Sequence, residues 1–291
     1  MKGLAIYNGY LLLPPIAHFL DRMDEEFAAL GIILERKPTT EVLAHLSENG
    51  RVMASISDYD FVLFCDKDKY IASMLEDSGL RLFNRAKAIE DCDDKFLTYL
   101  RLQKEGIRIP KTISAPLCYA KEGNRDFLKN LMRELSFPFI CKANYGSMGK
   151  EVHLVRDEEE LNALEERYLH QPHLYQEYIS SSRGKDYRII VLGGKAVAIM
   201  EREAKEGDFR SNIALGGTGI PVSNCPKAFI QVAEKAAKAL NLDYGGVDLL
   251  IGEGGEPILC EVNSNAFFEG IEKATGLNIA RMYAEYIKKH A

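Results

Sequence analysis

Toward its C-terminal end the chain reads "GGVDLLIGEGGEPILCEVNSNAFFEG", where Asp248, Glu261 and Asn263 interrupt apolar runs. The dipeptide Gly254-Gly255 suits the left-handed backbone of a tight hairpin. A two-residue turn there sets Glu253 opposite Glu256 and, counting back, Asp248 opposite Glu261. The same register gathers Val247, Leu249, Ile251, Ile258, Cys260 and Val262 on the other face, as a buried sheet face requires. Carboxylates on adjacent strands repel unless a cation lies between them. Asn263 shares their face, and oxygen donors without His or Cys suit a hard cation, Mg²⁺ or Mn²⁺, completed by water and phosphate oxygens. The solvent face of an edge hairpin would carry the same residues, and spacing alone leaves both readings open.

A metal with few protein ligands needs phosphate to complete it, and the chain offers a place for one. "FICKANYGSMGKEVHLV" reads as strand, loop, strand. Gly146 and Gly149, either side of Ser147, let backbone N–H groups approach phosphate oxygens, and Lys142 adds a point charge. The spacing is not that of a P-loop, and the loop reads equally as a plain turn. In "HLYQEYIS", Gln176 and Glu177 would either present a base-edge site or form one polar strand face. "GKDYRIIV" puts Asp186 and Arg188 on one face, and "GDFRSN" carries Arg210, Ser211 and Asn212 on a polar loop. Arginine forks bind carboxylate or phosphate, although loop arginines are common. His170 and His173, flanking Pro172, read as a solvated pair. No G-x-S-x-G, Cys–His or Ser–His context supports a covalent nucleophile.

These residues need elements to hold them. "GLAIY" and "DFVLFC" read as strands; "PIAHFLDRMDEEFAAL", with Pro15 in its first turn and Gly31 past its end, and "KYIASMLEDSG" read as helices. Residues 1–90 therefore form an α/β unit with a parallel sheet. "EDCDDKFLTYLRLQKEG" reads as one helix closed by Gly106, and "NRDFLKNLMREL" as another, with "FPFICKA" a strand, in a unit spanning 91–180. Residues 181–291 carry two hairpins, turning at Gly193-Gly194 and Gly254-Gly255, around the helix "PKAFIQVAEKAAKALNL"; this part is α+β.

The 291 residues are 46% hydrophobic, ample for a packed core, and the net charge of -6 is spread along the chain. There is no basic stripe for nucleic acid and no polybasic patch or apolar span for a membrane. Cys65, Cys92, Cys118, Cys141, Cys225 and Cys260 form no C-x-x-C pair, and Asn8, Gly9 and Pro14-Pro15 interrupt any signal-peptide core, so a reduced, cytoplasmic setting is expected.

The ordered set is more specific than any piece. Lys95 before a helix, Lys142 before a glycine loop, "QEYI", "DYR", "EGDFRSN" followed by "GG", then "GGVDLL" and "EVNSN" together resemble the ATP-grasp superfamily, and within it the RimK-like carboxylate–amine ligases. The resemblance covers roughly residues 90 to 280 and implies an ATP-grasp fold behind an N-terminal α/β domain. It implies that Lys95 and Lys142 contact ATP, that the loop Gly146, Ser147 to Gly149 closes over the phosphates, and that Gln176, Glu177 and Ile179 line the adenine site. Asp186 would lie near the ribose; Asp248, Glu261 and Asn263 would hold one or two Mg²⁺ or Mn²⁺; Arg210, Ser211 and Asn212 would lie by ATP and the activated carboxylate. Arg188 and Arg210 would stabilise the transferring phosphoryl group and an acyl phosphate.

The implied activity is ATP-dependent amide formation between an amino acid, glutamate included, and an amine on a small molecule, peptide or carrier protein. A phosphotransferase on the same scaffold, acting on a small carboxylate or hydroxyl substrate, is the alternative. A homo-oligomer is expected. Two features depart from the ribosomal-protein glutamate ligases: Leu215 stands where they have an arginine before the paired glycines, and Phe267-Phe268 stand where they have small residues and proline.

Overall fold

A computed structural model describes residues 1–123 and 126–291. β1 (Lys2–Tyr7), β2 (Ile33–Pro38), β5 (Phe61–Cys65) and β6 (Leu82–Phe83) form a sheet in the order β2-β1-β5-β6, parallel throughout as expected. β2, half-exposed and rich in charge, and the short β6 lack the apolar run that marks a strand in sequence. So do the strands of a small hairpin, β3 (Ala44–Leu46) and β4 (Val52–Ala54). α1 (Pro14–Ala29) begins on its two prolines, which cost nothing where the first N–H groups have no partner, and ends before Gly31, whose φ of 70° takes the left-handed conformation. Its buried Phe19, Leu20, Met23 and Phe27 lie on one helical face. α2 (Lys69–Asp77) is capped by Asp68.

The segment read as one helix is two, α3 (Ala86–Asp93) and α4 (Lys95–Leu102). Asp94 leaves helical geometry because its carboxylate accepts hydrogen bonds from the N–H groups of Phe96 and Leu97 and from Asn144 Nδ2. The local cap wins over continuation. The break puts Lys95 in the first turn of α4, with its own N–H donating to Asn144 O at 3.1 Å.

A second, antiparallel sheet has the order β7-β10-β8-β9, from β7 (Thr112–Ser114), β8 (Phe139–Ala143), β9 (Val152–Val155) and β10 (His173–Glu177). One face buries Phe139, Cys141, Ala143 and Tyr175 against α5 (Asp126–Glu134) and α6 (Glu158–Tyr168). The first two residues of the helix expected there, Asn124 and Arg125, lie outside the described residues. The alternate residues of these strands, among them Ile140, Lys142 and Gln176, face the other way.

The third sheet, β13-β12-β11-β14-β15, contains both expected hairpins: β11 (Lys185–Leu192) with β12 (Lys195–Glu203), and β14 (Tyr244–Ile251) with β15 (Pro257–Asn263). β13 (Thr218–Pro221) closes one edge. α7 (Lys227–Ala239) packs Phe229, Ala233 and Ala236 on one face of this sheet. The last helices, α8 (Glu269–Thr275) and α9 (Ile279–His290), share a core with α1 and the first sheet, where the rings of Phe19 and Phe268 lie 4.8 Å apart. Among the described residues no helix is long and apolar enough to cross a membrane. All six cysteines are free thiols.

Replacing Asp94 with Ala removes the α4 cap and the tie to Asn144. Urea unfolding should show a loss of about 1 to 2 kcal/mol, the cost of a deleted cap.

Candidate functional site

The hairpin of β14 and β15 pairs Asp248 with Glu261, but by another route than a two-residue turn. Gly252 N–H donates to Glu256 O, so the loop is the three residues 253–255, and Ile251 faces Pro257. That shifts the register by one. A β-bulge then inserts Cys260 and shifts it back, so that Asp248 again meets Glu261 and Gly246 meets Asn263. The two departures cancel at the carboxylates and not before them. Leu259 therefore takes the core face with Val247, Leu249 and Val262, while Cys260 lines a cleft on the other side and Ile258, paired with Leu250, lies outside that core. Both had been expected on the core face.

The two carboxylates are not left to repel. Cross-strand pairing sets Arg202 beside Asp186 and Arg188 beside Asp248, a row of charge across β12, β11, β14 and β15. Arg188 grips Asp248 in a fork, Nε to Oδ1 at 2.7 Å and Nη2 to Oδ2 at 2.6 Å. Arg202 donates from Nε to Asp186 Oδ1 at 2.8 Å, closes on the second oxygen of Asp186, and lies 2.9 Å from Asp248 Oδ2. Asp248 is buried; burial opposes its ionisation, and the guanidinium groups of Arg188 and Arg202 outweigh that and hold it below the usual carboxylate range. Burial also opposes the charge on Arg202, and Asp248 and Asp186 more than restore it. Glu261 is a quarter exposed and has Lys95 Nζ 3.3 Å from Oε1.

Arg202 was missed in the sequence. Counting from the Gly193-Gly194 turn sets Asp186 opposite Glu201; a bulge at Val197 moves Arg202 into that place. No sequence signal marks that bulge.

Two cavities flank the row. The first, of about 110 Å³, lies between the second and third sheets and is lined by Lys95, Lys142, the loop Gly146, Ser147 and Gly149, Gln176, Glu177, Ile179, Asp186, Arg210, Ser211, Asn212, Asp248 and Glu261. Every residue expected to touch the nucleotide is therefore at this cleft. Lys142 Nζ donates to Gln176 Oε1 at 2.7 Å, and Lys95 Nζ to Gly146 O at 3.0 Å. Tyr145 and Tyr178 line it too, without having been singled out. Arg210 donates to both oxygens of Asp208 and, from Nη1 at 2.8 Å, to Gly149 O, so it ties its own loop to the glycine loop. At Gly149, with φ of 70°, a Cβ would come within 2.7 Å of Asn212 Oδ1 and 3.2 Å of Leu215 Cδ1.

The second cavity, of about 480 Å³, lies between the β1–α1 segment and the third sheet, and takes in Arg188 and Asn263. Ser147, Arg202, Asn212 and Glu261 line both cavities, so the two meet at those four residues. His170 is exposed, whereas His173 is buried at the start of β10, with Glu165 Oε2 3.2 Å away. It is not solvated.

A hard cation fits this donor set. Glu261 opens to both cavities and Asn263 to the second; Oδ1 of Asn263 would be the ligating atom, since its buried, unpartnered Nδ2 is a hydrogen-bond donor. Asp248 would have to share an oxygen now given to arginine. Among the described residues no three carboxylate, His or Cys side chains form a metal cage, so phosphate and water would complete the shell.

Residues 92–287 match the RimK-like ATP-grasp domain family. The chain belongs to that family. It is 36% identical over 224 residues to human beta-citrylglutamate synthase B, a match covering 76% of this chain and 56% of that protein. To human N-acetylaspartylglutamate synthase A it is 34% identical over 226 residues, covering 76% and 56%. The chain thus spans about half the length of these curated relatives. To a probable alpha-L-glutamate ligase of Legionella pneumophila it is 36% identical over 222 residues, covering 75% and 70%. A RimK domain ATP-grasp protein of Sphaerobacter thermophilus superposes with a TM-score of 0.73 at 20% identity over 98% of this chain and 99% of that one. D-alanine–D-alanine ligase of Bacillus anthracis gives 0.72 at 20% over 99% and 96%. These structures share the fold of this chain along nearly its whole length.

Replacing Arg202 with Met leaves Asp186 buried without a guanidinium and Asp248 with Arg188 alone, and chemical unfolding should show a loss of about 3–5 kcal/mol. The sign with pH follows. A depressed Asp248 stabilises the fold above its unfolded value of about 4 and loses this as pH falls through the lower folded value. In Arg202→Met the folded value rises towards the unfolded one, so the fall of melting temperature as pH drops below about 4 should be shallower than in the parent.

Proposed function

We propose that the protein is an ATP-dependent carboxylate–amine ligase that joins an amino acid to an amine acceptor through an acyl phosphate. The observation that carries this is the meeting of the two cavities at Ser147, Arg202, Asn212 and Glu261, which brings a nucleotide cleft and a larger substrate cavity onto one charged junction. Membership of the RimK-like ATP-grasp family supports it.

In this reading Lys95, Lys142 and the Gly146–Gly149 loop hold the phosphates, Gln176, Glu177 and Ile179 the base, and Asp186 lies at the ribose side with its oxygens on Arg202. Glu261 and Asn263, with Asp248 beside them, would hold Mg²⁺ or Mn²⁺, one or two ions, which when bound neutralise the phosphate oxygens. At the junction the substrate carboxylate attacks the γ-phosphorus and ADP leaves; the acceptor amine then attacks the acyl carbon and phosphate leaves. Arg188 and Arg202 meet the developing charge, and Arg210 acts by holding the glycine loop closed. Setting is cytoplasmic, the acceptor is a small molecule, peptide or carrier protein, and the assembly is a homo-oligomer.

Incubation with ATP, Mg²⁺, amino acids and acceptor pools should give ADP and phosphate in equal amounts with a new amide by mass spectrometry. ADP with a phosphorylated product and no free phosphate would point to a phosphotransferase instead. Glu261→Ala should lower Mg-ATP turnover by a factor of about 10² or more while the fold persists by circular dichroism; unchanged turnover would remove Glu261 from the metal site.

A further inference from the structure

One part of the second cavity is apolar. Leu11, Leu13 and Ile16 line it from the β1–α1 segment, and Ile213 and Phe267 from the C-terminal part. Asn8 Oδ1 accepts from the N–H groups of Tyr10 and Leu11, both at 3.0 Å, and so fixes the turn that carries Leu11. Tyr10, Leu11 and Leu12 are 89%, 59% and 50% exposed, leaving an apolar segment beside the cavity. Of the phenylalanine pair that, with Leu215, sets this chain apart in sequence, Phe268 is core against Phe19 and Phe267 is cavity wall.

The charges point the same way. Three basic side chains line the cavity and each is already matched: Lys67 with Asp93 at 2.7 Å, Arg188 with Asp248, Arg202 with Asp186 and Asp248. A transferring phosphoryl group and one reacting carboxylate would both draw on Arg188 and Arg202. A second carboxylate on the substrate would find no unmatched cation, and a charge buried without a partner is costly. The one unmatched charge is negative. Asp66 Oδ2 accepts from Asn8 Nδ2 at 3.0 Å and Oδ1 from the Lys67 N–H at 2.6 Å, and among the described residues no basic side chain pairs with it. Its main-chain oxygen accepts from Asn265 Nδ2 at 2.9 Å, two residues past Asn263, which keeps Asp66 on the side of the junction.

We infer that this cavity takes an amino acid with an apolar or aromatic side chain, its ammonium on Asp66, its single carboxylate at Arg188 and Arg202, and its side chain along Leu11 and Phe267, in preference to a dicarboxylic amino acid. The inference rests on the ligase reading for its chemistry but is tested by binding. Calorimetric titration of the protein with ADP and Mg²⁺ present, using leucine, phenylalanine, glutamate and aspartate, should show leucine or phenylalanine binding at least tenfold more tightly than glutamate. Asp66→Asn should weaken the apolar amino acids about tenfold and leave ADP affinity unchanged. Leu11→Arg, on an exposed segment that the fold does not depend on, should narrow the gap between leucine and glutamate. Equal or tighter binding of glutamate, or no binding of either apolar amino acid, overturns the inference. Turnover is measured apart: apolar amino acids that bind without amide formation would count against the ligase reading and uphold this one.

Discussion

The row of buried charge across the third sheet sets the terms for the rest of the site. Arg202, Asp186, Arg188 and Asp248 lie on three adjacent strands; removing Arg202 strands Asp186 and removing Asp248 strands Arg188, in a medium where an unpaired ion costs several kcal/mol. Each pair therefore tolerates only the register that brings it into contact. The bulges at Val197 and Cys260 are the local adjustments that let the row form while Ile189, Val191, Val247, Leu249 and Val262 stay in the core on the far face. Glu261 ends the row. Its cation comes from outside the sheet, from Lys95, and it is the carboxylate left open to both cavities.

Lys95 reaches Glu261 because Asp94 breaks a helix. The same carboxylate that caps α4 accepts from Asn144, and Asn144 begins the glycine loop whose Gly146 carbonyl receives Lys95. On the other side of that loop, Arg210 takes the Gly149 carbonyl while its charge is balanced by Asp208. A segment with positive φ at Gly146, Met148 and Gly149 has little structure of its own; it is held at both ends by side chains from other parts of the chain. Its position over the first cavity follows from those anchors rather than from local propensity.

Much of this was legible in the sequence, for particular reasons. α1 was readable because its prolines, its apolar spacing and Gly31 agree, and the two glycine hairpins because the dipeptides mark them. β2, β6 and the β3–β4 hairpin were not, because edge and very short strands need no alternating apolar pattern. The facing of Asp248 and Glu261 was right although the turn was one residue longer than its dipeptide implies; the bulge that restores the register has no sequence mark, and so Ile258 and Cys260 were misplaced. The residues expected at the nucleotide lie together because their ordered motifs, not their individual types, carried the information. Arg202 was missed for the reverse reason: in "MERE" it looks like one charge of an exposed edge, and only the bulge turns it inward.

The charge count at the junction bears on the metal more directly than spacing does. Arg188, Arg202 and Lys95 stand against Asp186, Asp248 and Glu261, three against three, so the floor between the two cavities is neutral as it stands. A polyphosphate meeting a substrate carboxylate there brings several negative charges into a site walled by low-dielectric protein. Beyond that neutral set the cleft offers Lys142, whose Nζ has Gln176 rather than a carboxylate as partner, and freeing the arginines for phosphate would leave Asp186 and Asp248 without their counter-charges. On the proposed function, one lysine is little against those charges, and more positive charge would arrive with the nucleotide. A divalent cation held by Glu261, Asn263 and Asp248 would supply it and would give Asp248 another partner for an oxygen that an arginine gives up. The carboxylates that spacing alone left open between a cation site and an exposed hairpin face are thus better read as a balanced set, which on the proposed function would exchange one counter-charge for another as ATP enters.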